Sequence, residues 1–468
     1  MKTFTKIALA MSLVFATSAY ADEYIDTLKI LRDKGILTQL EHEAKIKAYE
    51  ERAENKKFAE QRIDKDVSES VKYRQARAND GSVTENGLGL KSKDGNSTAQ
   101  FTGRLHMDYR HYSPDYGVGQ TTDSYQNLAE VRRARFGVRG QFQKDFKYEL
   151  VANLGNDIGA SSTSTVMDVA YVNYAANPEM QFQFGLFKMP FSLEQLTSSN
   201  NIDFMERSLI GQNDSELIPG KETGFMVHGV PRVGLTYAVA ASRGKGNKDA
   251  VSDNFDYIGR VTTNIAELQG SKAYIAHLGA AYSIGNIKGG VTPASGRTEA
   301  RSQSAFFTGP ALSGVTERTR QGLEAAVAYN AFKLQGEYFL FKYDPTVGSN
   351  QEIKGYYVQA VYNLTGESFN YKDGAFSSIK PANALDKGGR GAWQVSVRAS
   401  EFDASPIAVV AGKTNRATAM TYGITWFATD NLRFIVNYVD TKFDSLVGSS
   451  GSRVTGDRAV MFRSQLNF

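Results

Sequence analysis

Phe101-Thr102-Gly103-Arg104-Leu105-His106-Met107-Asp108-Tyr109-Arg110 alternates without a break. Successive side chains of an extended chain point to opposite sides. Phe101, Gly103, Leu105, Met107 and Tyr109 therefore share one face, and Thr102, Arg104, His106, Asp108 and Arg110 share the other. The last stretch of the sequence repeats the pattern. Val460, Phe462, Ser464, Leu466 and Phe468 lie on one face, and Met461, Arg463, Gln465 and Asn467 on the other. A soluble sandwich also alternates, but it turns its apolar face inward. Here the polar face carries bulky charges in segment after segment, which suits a water-filled interior with the apolar face turned to lipid.

Working outward from these two stretches, period-two segments recur near 101–110, 130–142, 145–155, 166–175, 180–188, 222–230, 233–242, 254–263, 273–284, 318–330, 331–343, 353–363, 391–402, 417–428, 431–443 and 457–468. The reading is an all-β, 16-stranded antiparallel transmembrane β-barrel over residues 100–468, a width that leaves an aqueous channel. Short turns such as Gln143-Lys144 and Pro231-Arg232 alternate with long connections at 111–129, 189–221, 285–317 and 444–456. An even count puts both barrel ends on the periplasmic side, so a seventeenth strand near 286–296 is rejected. The 364–390 connection is then an unusually long one on the turn side. Terminal Phe468, in phase with Phe462 and Leu466, looks like the C-terminal recognition signal of bacterial outer-membrane barrels.

Composition agrees. The 468 residues hold 43 Gly, 27 Phe and 24 Tyr against only 10 Pro, a mixture suited to many strands with aromatic girdles. Mean hydropathy of −0.37 argues against a bundle of membrane helices, each of which needs about 20 mostly apolar residues. The absence of cysteine removes disulfide scaffolds, thiolate metal sites and cysteine nucleophiles. A net charge of +4 is too balanced for bulk nucleic-acid binding.

The N-terminal fifth is different. Residues 1–21 read as a secretory signal peptide: Lys2 and Lys6, a short apolar stretch, then Ala19-Tyr20-Ala21. Residues 22–79 hold 13 basic and 13 acidic residues and suggest helices flanking Gly35, with Thr38 and Glu41 spaced as a capping box. Ile63, Val67 and Val71 make a thin apolar stripe that a coiled coil between subunits would bury, or that a single solvated helix would leave open. These helices are expected in the periplasm, joined to the barrel by a glycine-rich linker at 80–99.

Several stretches of the barrel resemble the phosphate-selective porins O and P. They are Arg132-Arg133-Ala134-Arg135-Phe136-Gly137, Gly185-Leu186-Phe187-Lys188-Met189-Pro190-Phe191-Ser192-Leu193-Glu194, Phe204-Met205-Glu206-Arg207-Ser208, Gly355-Tyr356-Tyr357-Val358, Asn363-Leu364-Thr365-Gly366-Glu367-Ser368 and Ile379-Lys380-Pro381. The Lys34-Gly35-Ile36-Leu37-Thr38 turn looks like the helical part at the start of many relatives. The resemblance implies a homotrimeric 16-stranded channel in the Gram-negative outer membrane, with a basic constriction favouring small anions such as phosphate and chloride. It places Lys188 near a constriction loop formed by the connection after the fifth strand. Relatives selecting phosphate carry alternating arginines before a proline at the later long connection. This chain has Ile287-Lys288-Gly289-Gly290-Val291-Thr292-Pro293, with Arg297 and Arg301 following, so that ladder is thinned.

From the residues themselves, Arg133, Arg135 and Arg139 share one face of the second strand with Gly137 and Gln141. Guanidinium forks donate paired charge-assisted hydrogen bonds to oxyanions and stay charged at any working pH. With Arg104, Lys188, Lys288 and Arg297 they form the expected anion-conducting set. The alternative is that the arginines pair with acids across the lumen, Glu149 and Glu337 being available, and that Glu206 and Arg207 only stabilise their loop. Asp249, Asp253 and Asp256 read as solvated loop charge. His42, His106, His111, His228 and His277 lack metal-ligand spacing, and no nucleophile elbow or phosphate-binding loop is present. The expected function is passive, cofactor-free diffusion of small anions. The competing readings are a weakly selective general porin and an envelope-tethering protein anchored by the barrel. From residue 80 onward 39 basic residues face 37 acidic ones, so any selectivity rests on placement.

Overall fold

A computed structural model describes residues 19–51, 54, 88–113, 127–155, 167–211, 217–244, 255–287, 295–302, 305–309, 314–345, 351–449 and 452–468. The chain divides into two units, Met1–Ser82 and Val83–Phe468. In the first, α1 (Ala19–Asp33) ends in a turn at Gly35, whose φ of 69° suits a residue without a Cβ. A further helix runs from residue 39. Glu41 accepts from Thr38 N at 2.9 Å, and Thr38 Oγ1 accepts from Glu41 N at 3.3 Å, the reciprocal bonds of a capping box. Of the expected leader only residues 19–21 are described, as the start of α1, and the 63–71 stripe lies outside the described residues.

The second unit is a closed barrel of 16 strands. In chain order they are β2 (Thr98–Tyr112), β3 (Asn127–Phe142), β4 (Phe146–Asn153), β5 (Met167–Asn177), β6 (Met180–Lys188), β7 (Lys221–Arg232), β8 (Leu235–Ser242), β9 (Asp256–Asn264), β10 (Tyr274–Asn286), β11 (Val315–Tyr329), β12 (Phe332–Pro345), β13 (Gln351–Asn363), β16 (Ala392–Asp403), β17 (Arg416–Phe427), β18 (Leu432–Ser449) and β19 (Ser452–Asn467). Each pairs antiparallel with the next, and β19 returns to β2 from Ala459↔Tyr112 to Asn467↔Arg104, which closes the sheet. All 16 segments read from the sequence are present.

β2 extends below the end of β19, where β1 (Gly89–Lys91) pairs with Thr98–Gln100 and covers the spare edge. The last part of the expected linker is therefore ordered strand and turn. A small hairpin of β14 (Asn370–Lys372) and β15 (Ala375–Ser377) sits within the 364–390 connection.

The faces divide as the alternation requires. Phe101, Leu105, Met107 and Tyr109 are exposed on the outside, while His106, Asp108 and Arg110 are buried within. Outside, at the end where the turns lie, Trp393, Trp426, Phe434 and Phe462 form a stacked row with centroids 5.5–6.2 Å apart, an interfacial aromatic girdle.

The lumen differs from an open water-filled bore. Residues 189–211 and 217–220, and residues 295–302 and 305–309, enter from the loop end, and the β14–β15 hairpin enters from the turn end. Inward Phe339, Phe341, Tyr343, Ile353, Tyr357 and Phe402 pack against Phe191, Ile210, Phe306 and Phe307 of the inserted loops. On β12 inward Phe339, Phe341 and Tyr343 alternate with outward Tyr338 and Leu340, so that side of the lumen is an apolar core.

Candidate functional site

Two β-bulges set up the charged wall of β2–β7. In β3 the register with β2 slips between His106↔Arg133 and Met107↔Val131. Arg132 is the extra residue, and a bulge lets neighbouring residues share a face. Arg132 and Arg133 are accordingly both buried inside. In β5 the register slips between Val151↔Val169 and Ala152↔Met167, leaving Asp168 as the extra residue. Asp168 turns inward, 2.9 Å from Arg135 Nη1 and paired also with Lys221 Nζ.

The 189–220 loop is fixed to the lumen at successive points. Its short helix α2 (Leu193–Leu196) is bound at both ends. Glu337 accepts from the backbone N–H groups of Leu193 and Glu194 at 2.9 and 2.7 Å. Lys188 Nζ donates to the carbonyls of Gln195 at 2.5 Å and Thr197 at 3.2 Å, satisfying the helix C-terminus. Arg207 also donates to Glu194 O and Thr197 O. Further on, Asp203 accepts from Lys333 Nζ at 2.8 Å and Gln359 Nε2 at 2.7 Å. Lys333 also lies 4.8 and 4.6 Å from the ring centroids of Phe369, just before β14, and Phe376, within β15 of the turn-end hairpin.

Glu206 is the main anchor. Its carboxylate takes Arg463 Nη2 at 2.9 Å, Arg132 Nε at 3.0 Å and Arg110 Nη2 at 3.2 Å, with Arg133 Nη2 at 3.7 Å. Asp108 and Glu130 complete the network through Arg110. Burial pushes the Glu206 carboxyl up, but Arg132, Arg133 and Arg463 outweigh it and hold the group well below the usual carboxylate range. Glu206 and Arg207 thus serve different partners, Glu206 tying the loop to the barrel wall and Arg207 stabilising the loop itself. Glu337 likewise caps a helix and does not answer a lumen arginine. Glu299, in the second inserted loop, binds Arg398 Nε at 3.1 Å, Ser400 Oγ at 2.6 Å and the Leu209 N–H at 3.1 Å. Asp256 is no solvated loop charge: it is buried in β9 and accepts from Arg318 and Arg320 at 2.8 Å each. Asp249 and Asp253 lie outside the described residues.

Between this loop and the β2–β7 wall lies a cavity of about 1480 Å³ that reaches the turn end at Asp430, Asn431 and Phe468. Arg104, Arg133, Arg135, Arg139 and Lys188 line it together, joined by Arg207, Lys221 and Lys380. Among the described residues, only the side chains of Glu149, Asp168 and Asp430 oppose these eight basic residues. Arg104 and Arg135 are direct cross-strand partners. Like charges so placed repel, a cost that the fold bears at this site. Arg104 donates to Ser199 Oγ at 2.7 Å. Among the described residues, Arg104, Arg139, Lys188 and Lys380 have no carboxylate within 4.0 Å. Lys288 lies outside the described residues, and Arg297 sits in the 295–302 segment away from this wall.

The sequence pattern missed Lys221, Arg207 and Asp168. Lys221 opens β7 directly across from Lys188, a pairing that only the register reveals. Asp168 reaches the lumen by the bulge. Lys380 arrives on the connection that re-enters from the turn end, beside Ser378, whose hydroxyl donates to Asn200 O at 3.3 Å.

A closed 16-stranded barrel, apolar outside, charged within and narrowed by an inserted loop, defines an outer-membrane porin, a passive diffusion channel. A profile described as phosphate-selective porin O and P matches residues 100–468, the whole barrel, and the chain belongs to that family. It is 28% identical to Porin O of Pseudomonas aeruginosa over 400 residues, covering 79% of this chain and 88% of that protein. The fold is similar to the anion-selective porin of Comamonas acidovorans, with a TM-score of 0.50 at 15% identity over 80% of this chain and all of that one. It is equally similar to the outer-membrane channel DcaP of Acinetobacter baumannii, with a TM-score of 0.50 at 11% identity, covering 81% and 99% of the two chains.

Proposed function

We propose that this porin prefers small anions such as chloride and phosphate, and that Arg104, Arg133, Arg135, Arg139 and Lys188 line the conducting path. The observation carrying the proposal is the set Arg104, Arg139 and Lys380, cations on the cavity wall without carboxylate partners among the described residues. Anions are drawn in by the summed field of these groups. Guanidinium and ammonium donors replace part of the hydration shell, and several shallow sites in a row let the ion leave again. The paired groups, Arg133 with Glu206 and Arg135 with Asp168, hold the wall in shape. The thinned basic run at 287–293 favours a general anion preference over strict phosphate selection. In this reading the turn end faces the periplasm, residues 1–21 are an export signal, residues 22–79 are periplasmic helices and the channel assembles as a homotrimer.

The test is the reversal potential of the purified channel in a planar bilayer under a KCl gradient. Chloride preference is expected. At about 7 Å in water one unit charge contributes about 0.6 kcal/mol to an ion's energy. The triple variant R104Q/R139Q/K380Q should therefore lower the chloride-to-potassium permeability ratio several-fold. A cation-selective wild type, or an unchanged ratio in the variant, overturns the proposal. Titrating phosphate against the chloride current separates phosphate selection from general anion preference.

A further inference from the structure

The wall between Arg135 and Arg139 turns apolar. Gly137 stands midway between them, with Val151 opposite it on β4 and Val169 opposite Val151 on β5. Both valines line the cavity. A Cβ at Gly137 would come within 2.2 Å of Leu150 O and 2.8 Å of Val151 Cγ2, so only glycine lets β3 lie this close to β4, and Val151 covers the position. The apolar surface left to the cavity is a shelf of Val151 and Val169, two strands wide. The row on its loop side holds Arg135, with Asp168 beside it. The row on its turn side is Arg139, Glu149 and Tyr171. Arg139 is exposed and makes no ion pair among the described residues.

A chloride or phosphate ion gains nothing from apolar wall, since its stabilisation is electrostatic and depends on donors. An organic anion uses both surfaces. The Val151–Val169 row is two residues from the Arg139 row, about 7 Å along the strands, a span that a benzoate covers from its carboxylate to its ring. We propose that the vestibule is also a site for small carboxylates with a flat apolar body. The carboxylate takes a paired hydrogen bond from the Arg139 guanidinium. The ring lies on the Val151–Val169 shelf. Glu149, beside Arg139, disfavours a second negative charge at that level, so monocarboxylates are preferred over dicarboxylates there. This rests on the anion-channel reading above and deepens it by naming a substrate class.

The experiment measures block of the chloride current by benzoate and by acetate, two probes of equal charge, on the full-length channel in a planar bilayer. Removing one ring face from water predicts that benzoate blocks at a concentration roughly tenfold lower than acetate. The isosteric variant V151T/V169T should bring that ratio to about one and leave the KCl reversal potential unchanged. Equal block by the two probes in the wild type overturns the proposal, as does a ratio unchanged in the variant. Neither result touches the anion-channel reading, which fails only on the reversal potential. Succinate blocking more strongly than benzoate would also overturn the monocarboxylate assignment.

Discussion

Replacing Glu206 by glutamine probes the anchor of the constricting loop. The carboxylate sits among four guanidiniums, Arg110, Arg132, Arg133 and Arg463, with only Asp108 and Glu130 as other acids. Glutamine keeps the shape and one acceptor oxygen but removes a full negative charge. Breaking one partner of a buried ionic network costs about 3–5 kcal/mol. Each 1.36 kcal/mol is a factor of ten, so local detachment of the Phe204–Arg207 stretch should become two to four orders of magnitude more populated. The loop would not leave altogether, because Asp203 remains bound to Lys333, and Glu337 still holds the start of α2. The expected record is a channel of similar mean conductance with fast flicker between levels. Anion preference should rise, since Arg133 on the cavity wall loses its counter-charge. Single-channel recording at fixed voltage reads the flicker, and the reversal potential under a KCl gradient reads the selectivity. An E206Q channel with wild-type noise and wild-type selectivity would refute the assignment of Glu206 as the anchor.

Other outcomes follow from neighbouring features. Lys333→Met leaves buried Asp203 without its ammonium and removes the cation between Phe369 and Phe376. Amide exchange should then rise in both the 200–206 loop and the 369–376 hairpin, and a rise in one alone would refute their coupling. At Gly140 a Cβ would come within 1.9 Å of Thr98 O. Gly140→Ala should lower thermal stability by about 1–3 kcal/mol through forced separation of β2 and β3, measured by heat-dependent mobility of the folded barrel. Because the Glu206 pKa is depressed, its contribution to loop docking is present above the usual carboxylate range and is lost only as pH falls through the depressed value. Conductance noise should therefore stay flat from about pH 8 to about pH 5, and flicker appearing within that window would argue against the network. Thr38→Ala should weaken the helix that begins at residue 39 by about 1 kcal/mol, read by circular dichroism of a peptide spanning it.

The strands were legible because lipid and lumen impose opposite demands on neighbouring residues. Phe101 to Arg110 and Val460 to Asn467 carry that demand at most positions, Ser464 outside and Met461 inside being the exceptions in the last strand. The arginine row on β3 was legible for the same reason. What a strict period of two conceals is any residue gained by a bulge. Arg132 reads as outward-facing beside Val131 and Arg133, yet it binds Glu206. Asp168 escapes the same way. The partners of Glu206, Glu299 and Glu337 lie up to 257 positions away in sequence, so no local pattern announces them. The dry half of the lumen was hidden for a related reason. Phe339, Phe341 and Tyr343 occupy inward positions that make sense only once Phe191, Phe306 and Phe307 are known to reach them from loops.

The Glu206 network also fixes an order of assembly. Its arginines come from β2, β3 and β19, so they converge only after the first and last strands of the barrel have met along the β19–β2 seam. An open, unfinished sheet offers Glu206 no complete cradle, and loop closure across that many residues is slow. The loop therefore docks after the seam, and the passage narrows last. A chain whose first and last strands have not met has no narrowed passage, and no closed pore either, because the open edges of β2 and β19 cannot rest in lipid.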